Sequence, residues 1–188
     1  MDPAFSNAFS PPHLHRVLGL TMRPMTVGHL LTLESSGLSI TEPTTFRDLS
    51  FLAFVCAQPS TSIHRSLAAW WAPLLFAAWG ALWKRRDWIS QVEAWEGYIT
   101  ESLRSPNVKT PIGAPRFETP LGVRLLAFLM RELGMTMEAA ANTKVSVASC
   151  LWVAVGEMEG AVNLWTQRDQ DFWEACKKLD EEALHGAA

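Results

Sequence analysis

Apolar residues along the chain recur at helical spacing, and strand-like alternation never persists. Val27, Leu30 and Leu31 open the first such stripe, with Thr26 placed to cap it, Arg23-Pro24 ahead of it and Gly37 to stop it. A second helix follows Thr44 or Thr45. Asp48 lies three residues after Thr45, which resembles a capping box with aspartate in place of glutamate. Leu49, Leu52, Phe54, Val55 and Cys56 make that helix apolar around most of its girth, which predicts burial on several sides, and Gln58-Pro59 ends it.

The longest apolar pattern begins at Ser60 or Ser62. Leu67, Trp70, Trp71, Leu74, Leu75, Ala78, Trp79 and Leu82 keep a helical stripe, and Ala68, Ala69, Ala72, Ala77 and Gly80 lie opposite, where a neighbouring helix could approach closely. Pro73 predicts a kink or a restart. After Lys84-Arg85-Arg86, Trp88, Val92, Trp95 and Ile99 form the stripe of an amphipathic helix that ends near Leu103.

Residues 105–118 hold Pro106, Pro111, Gly113 and Pro115 and read as an irregular connection. Beyond it, Thr119 and Pro120 start a helix carrying Val123, Leu125, Leu126, Leu129 and Met130, closed by Gly134. Thr136 caps a short helix over Met137–Ala141. Thr143 caps the next, whose stripe is Val147, Leu151, Ala154, Val155 and Met158. Thr166 with Asp169 opens a last helix lined by Phe172, Trp173, Cys176 and Leu179. The predicted fold is all-α, a compact bundle of about six to seven helices with a Pro-rich connection in the middle. Residues 1–16 form a flexible tail and residues 17–184 one helical domain, made of a part at 17–104, the linker at 105–118 and a part at 119–184.

Composition narrows the function. The chain has 188 residues, of which 48% are hydrophobic, enough to bury a core. Its net charge of -3 argues against nucleic acid as the main partner, because phosphate neutralisation demands a basic surface. Cys56, Cys150 and Cys176 are widely spaced and read as small core hydrophobes in a reducing compartment. Residues 1–12 lack the charged and apolar regions of a signal peptide. The uncharged run Leu67–Trp83 would reach only ~25 Å as a helix against ~30 Å of hydrocarbon, and it reads as a central buried helix with no membrane partner.

Candidate chemistry is sparse. His13 and His15 are the only close histidine pair, without a third ligand nearby. His29, His64 and His185 occupy ordinary helix or tail positions. Glu93 and Glu96 share helical spacing on a solvated face, with no pocket to shift a carboxyl pKa. No nucleophile elbow, phosphate loop, dinucleotide fingerprint or zinc helix occurs, so neither catalysis nor a cofactor is expected. Tryptophans 70, 71, 79, 83, 88 and 95 are concentrated in one stretch and serve either as core or as interface anchors.

The order of segments carries a resemblance. The run Leu20-Thr21-Met22-Arg23-Pro24-Met25-Thr26-Val27-Gly28-His29-Leu30-Leu31-Thr32-Leu33-Glu34 resembles the opening of a family of small helical proteins from tailed-phage and prophage tail gene clusters. That opening is an aliphatic residue, Arg-Pro, aliphatic, Ser/Thr, aliphatic, Gly-His and a leucine-rich helix. Asp48-Leu49 through Phe54-Val55-Cys56-Ala57-Gln58-Pro59 is similar to the family's Asp-Leu…Val-Cys-Ser-Arg-Pro. Ala114-Pro115-Arg116-Phe117 is similar to its Ala-Pro-Trp, with Phe117 as a departure. The resemblance spans residues 17–182 and implies a tail assembly chaperone, a non-catalytic phage protein of the host cytoplasm that binds the helical tape measure protein and self-associates. Other roles kept in view are a structural component of the tail or virion, a membrane-active protein using Leu67–Trp83, and an inhibitor of a host defence complex. Adaptable apolar and aromatic side chains suit helix binding, which points to Met22, Met25, Trp70, Trp71, Trp79 and Trp83, with Arg85 and Arg86 beside them, as the partner-binding residues.

Overall fold

The computed structural model describes residues 8–10, 13–68, 72–83, 87–106, 108–109, 119–160 and 163–164. The chain is all-α in class. Its elements run β1 (Arg16–Val17), β2 (Leu20–Thr21), α1 (Val27–Ser35), α2 (Phe46–Ala57), a 3-10 turn (Ser60–Ser62), α3 (Ile63–Leu67), α4 (Ala72–Trp83), α5 (Trp88–Ser102), β3 (Val108–Lys109), α6 (Leu121–Arg131), α7 (Met137–Asn142), α8 (Val145–Met158) and β4 (Asn163–Leu164). The described residues thus contain eight α-helices where six or seven were expected. The long apolar run accounts for the difference: it stops at Leu67 and restarts at Ala72, with Pro73 in the first turn of α4, where its missing N–H costs nothing. The helix expected after Thr166 lies outside the described residues.

Local chemistry sets most boundaries. Thr45 caps α2 through the Asp48 amide, but the reciprocal half of the expected box is absent, since the Asp48 carboxylate accepts from the Thr44 hydroxyl at 3.0 Å instead. Asp87 caps α5 and Thr136 caps α7. Two expected caps fail. Thr119 does not cap α6; Pro120 holds the cap position without a side-chain bond, and the Gly122 N–H donates to both Glu34 carboxylate oxygens at 3.1 Å. A carboxylate from α1 thereby does the work of a local cap. Thr143 turns its hydroxyl back onto the Ala139 carbonyl, and α8 starts instead from backbone pairing with the segment before α1. The Val27 N–H donates to Thr143 and the Val145 N–H to Met25, both at 2.9 Å, around the bridge Thr26–Lys144.

One core draws on both sides of the Pro-rich segment: Val27, Leu30 and Leu33 from α1, Leu49, Leu52 and Val55 from α2, Trp95, Tyr98 and Ile99 from α5, Leu125 and Leu129 from α6, and Val145 and Ala148 from α8. α1 touches α2, α6, α7 and α8. Gly28 permits the close approach of α7, since a Cβ there would meet the Ala141 carbonyl oxygen at 3.1 Å. Trp95 is fully buried, and its indole N–H donates to the Ile40 carbonyl at 2.8 Å, so the ring enters the core without an unmet donor. In α8 the buried face is Val145, Ala148, Ser149, Cys150, Val153 and Gly156, not the stripe read through Val147 and Met158; Met158 is exposed. The helix is apolar on several sides, and its smaller residues face the core.

Residues 13–16, read as part of a flexible tail, are instead tied down. The His13 N–H and the His15 ring both bond Glu101 of α5, and Arg16–Val17 pair with Leu20–Thr21. Leu18 and Gly19 form the hairpin turn with φ of 50° and 77°. Two left-handed residues in a row match a two-residue turn that follows strand twist, and a leucine there costs about 1–2 kcal/mol. Complete burial of the Leu18 side chain and its N–H bond to Gln91 Oε1 at 2.8 Å offset that cost.

Candidate functional site

Helix α4 reads Ala-Pro-Leu-Leu-Phe-Ala-Ala-Trp-Gly-Ala-Leu-Trp and contains no charged residue. Such a helix offers no polar face to water, so some apolar surface stays exposed unless neighbours enclose it. Among the described residues one side is enclosed. Phe76 is buried between Phe51 and Phe54 of α2, with ring centroids 5.8 and 5.1 Å apart in edge-to-face geometry. Trp79 is half-buried on the same side. Leu74 and Leu82 point outward at 64% and 75% exposure, with Leu75, Ala78 and Ala81 also exposed.

The helix was expected to be central, with Leu74, Leu75, Ala78 and Leu82 turned inward. That expectation is corrected: these residues form the outer face, and the contact residue is Phe76, which lies off the stripe. A uniformly apolar sequence gives periodicity no contrast with which to choose a face. The signal that could have found the contact is residue type, since Phe76 is the one phenylalanine of α4 and it meets the pair of phenylalanines on α2.

Beside this contact lies a cavity of about 410 Å³. Leu38, Phe51, Leu67 and Phe76 line its apolar part, and Arg47 and Asp48 stand at its polar part. Outward leucines next to an apolar hollow with both charge signs nearby form a surface suited to an amphipathic helix.

The other predicted partner-binding residues fall elsewhere. Met22 and Met25 are corrected to core positions, 4% and 2% exposed, because the segment from β2 to α1 runs inward to reach α5 and α8. Trp70, Trp71, Arg85 and Arg86 lie outside the described residues, as does the side chain of Trp83, whose backbone ends α4. Of the remaining tryptophans in that stretch, Trp88 packs edge-on to Phe46 at 4.6 Å and Trp95 is core.

The titratable groups are engaged in structure. His15 Nε2 sits 2.6 Å from Glu101 Oε2, and the His13 N–H reaches Oε1 at 3.2 Å. Partial burial pushes the Glu101 carboxyl up, but the bonds and charges of His15 and His13 outweigh it and hold the pKa below its ordinary value. His29 is buried. Its Nδ1 accepts from the Thr26 N–H at 3.1 Å, which leaves Nε2 as the donor to the Gln58 carbonyl at 2.8 Å. Burial lowers its pKa, the Gln58 bond opposes that, and the Arg23 charge adds to the lowering. Burial also pushes the Cys56 thiol up to about 12, the behaviour of an inert core thiol, and Cys150 is likewise buried; Cys176 lies outside the described residues. Glu93 and Glu96 are exposed on α5. Among the described residues no three His, Cys, Asp or Glu side chains gather as metal ligands, and no helix is long and apolar enough to cross a membrane.

Comparison with protein-family models, curated proteins and solved structures finds no match to this chain.

Proposed function

We propose that the protein is a non-catalytic binding protein, of the tail assembly chaperone kind, that shields an amphipathic helix of a long helical partner such as a phage tape measure protein. The outward leucine face of the uncharged helix α4 carries this reading. Exposed apolar area of this kind, beside a hollow, is the usual mark of a protein-binding surface. Helix-in-groove docking needs apolar anchors at helical spacing, and Leu74, Leu75, Ala78 and Leu82 supply them. The order of sequence segments, similar to that of tail-cluster proteins, agrees with a role in virion assembly in the host cytoplasm.

The test is co-expression of the tagged protein with neighbouring tail genes, followed by size exclusion and mass spectrometry of both the complex and finished particles. A tape measure fragment held by the wild type, released by the double change Leu74→Lys and Leu82→Lys, and a protein absent from virions are the expected results. Recovery of the protein in mature particles would replace the chaperone with a structural tail component. A wild-type dimer that the same double change converts to monomer, with no tail protein bound, would make a second copy the occupant of the α4 face.

A further inference from the structure

Away from α4, a cavity of about 490 Å³ opens between the segment Met22–Met25, helix α5 and the start of α8. Arg23, Arg104 and Lys144 all line it, in a chain whose net charge is -3. Among the described residues of the lining the one carboxylate is Glu101, which accepts from the His13 N–H and lies 2.6 Å from His15 Nε2. Among the described residues neither Arg104 nor Lys144 makes an ion pair. Three like charges around one hollow repel each other, so their gathering favours an anion between them.

Arg23 is also held in place. Its N–H donates to the Cys56 carbonyl at 3.0 Å, its carbonyl accepts the Tyr98 hydroxyl at 2.9 Å, and its Nε donates to the Ala57 carbonyl at 3.1 Å. Both terminal amino groups are left without a partner among the described residues. The backbone is held at two of these points and the guanidinium at one, through Nε, which leaves its two terminal amino groups to meet the oxygens of an oxyanion. Helix α8 begins at the same cavity; the Met25 carbonyl takes its first N–H, and the helix dipole adds to the positive field there.

From these observations we infer that the cavity binds a small organic phosphomonoester, with the phosphate on Arg23, Arg104 and Lys144 and an apolar body on the floor made by Met22, Pro24 and Met25. Charge selects the head group. Among the described lining residues, three cations against one carboxylate leave two positive charges, which match a phosphate dianion better than a carboxylate. Size selects the class, since pockets of about 300–1,000 Å³ hold ligands of small-molecule dimensions.

Phenyl phosphate is the probe, titrated calorimetrically into the full chain, with benzoate and inorganic phosphate as comparisons. Saturable one-to-one binding is expected, about tenfold tighter than benzoate and tighter than inorganic phosphate. The double change Arg104→Ala and Lys144→Ala should weaken it by about tenfold or more, on the loss of two charge-assisted contacts. Arg131→Ala, a charge change on exposed α6, should leave it unaltered. Circular dichroism on each variant separates loss of binding from loss of fold. Absence of saturation up to about 10 mM phenyl phosphate, or equal weakening by Arg131→Ala, overturns the site. Equal affinity for inorganic phosphate overturns the apolar half of the assignment.

Discussion

His29 shows how a single side chain can look like a functional residue and serve the fold. It caps α1 from inside the helix and ties that helix to the end of α2 through Gln58, using the neutral ring in one tautomer. Protonating Nδ1 would place a hydrogen against the Thr26 N–H. The folded pKa is lowered from 6.5, so below that value the unfolded chain takes up a proton that the folded one does not. The stability contributed is therefore fully present above about pH 6.5 and lost as pH falls toward the folded pKa. Urea midpoints between pH 7.5 and 5 should decline in the wild type and decline less in His29→Gln; parallel slopes would remove this role. Glu101 acts in the same direction only below its ordinary 4.5, outside that window. Gly122 gives a second residue-scale test. Exchange of glycine for alanine in a helix ordinarily gains about 1 kcal/mol. Here the new Cβ would meet Glu34 Oε2 at 2.8 Å and Leu31 at 3.2 Å, so Gly122→Ala should instead lower stability by about 1–3 kcal/mol in a denaturant titration. Neither role was visible in the sequence. His29 read as an ordinary helix position, and the partner of Gly122 comes from a helix far away along the chain.

At the scale of elements, capping chemistry was readable where the cap is local and failed at Thr119 and Thr143, and facing was not readable. Thr26, Thr45 and Thr136 mark helix starts because a short polar side chain satisfies an amide only a few residues away, and Asp87, not read as a cap, does the same for α5. The orientation of α4 and α8 depends on which neighbour arrives, and helices apolar on several sides do not encode that in their period. The tie between residues 13–16 and α5 was hidden for the same reason, since its acceptor Glu101 is remote in sequence. The α4 surface assignment therefore rests on packing. Its attachment through Phe76 and Trp79 is a small satellite of the main core. Phe76→Ala should free α4 locally, so amide exchange within Ala72–Trp83 should accelerate by about tenfold or more while α1 and α2 keep their protection. Uniform acceleration across all helices would show that α4 belongs to the main cooperative unit.

For the whole molecule, the segment Leu20–Glu34 is a folding device. Arg23 joins α2 and α5, Thr26 and His29 cap α1, Gly28 lets α7 approach, and Glu34 serves α6. This stretch organises contacts with α2, α5, α6, α7 and α8, whereas the outward apolar face lies elsewhere, on α4. Scaffold and proposed docking surface are thus separate, and a change on α4 is expected to alter binding while leaving the scaffold standing.

The backbone bridge between Thr26 and Lys144 has a consequence for how the chain comes together. Helix α8 cannot take its starting geometry from its own sequence, because its first amide is satisfied by Met25, and α1 depends in the same way on Thr143. The two halves of the polypeptide act as each other's template. Synthesised as two separate pieces broken within residues 110–118, they should be poorly folded alone and should assemble when mixed, with helical circular dichroism exceeding the sum of the parts. A newly made chain would then remain unfinished until α8 has left the ribosome, and the leucine face of α4 would exist before the core beneath it is closed.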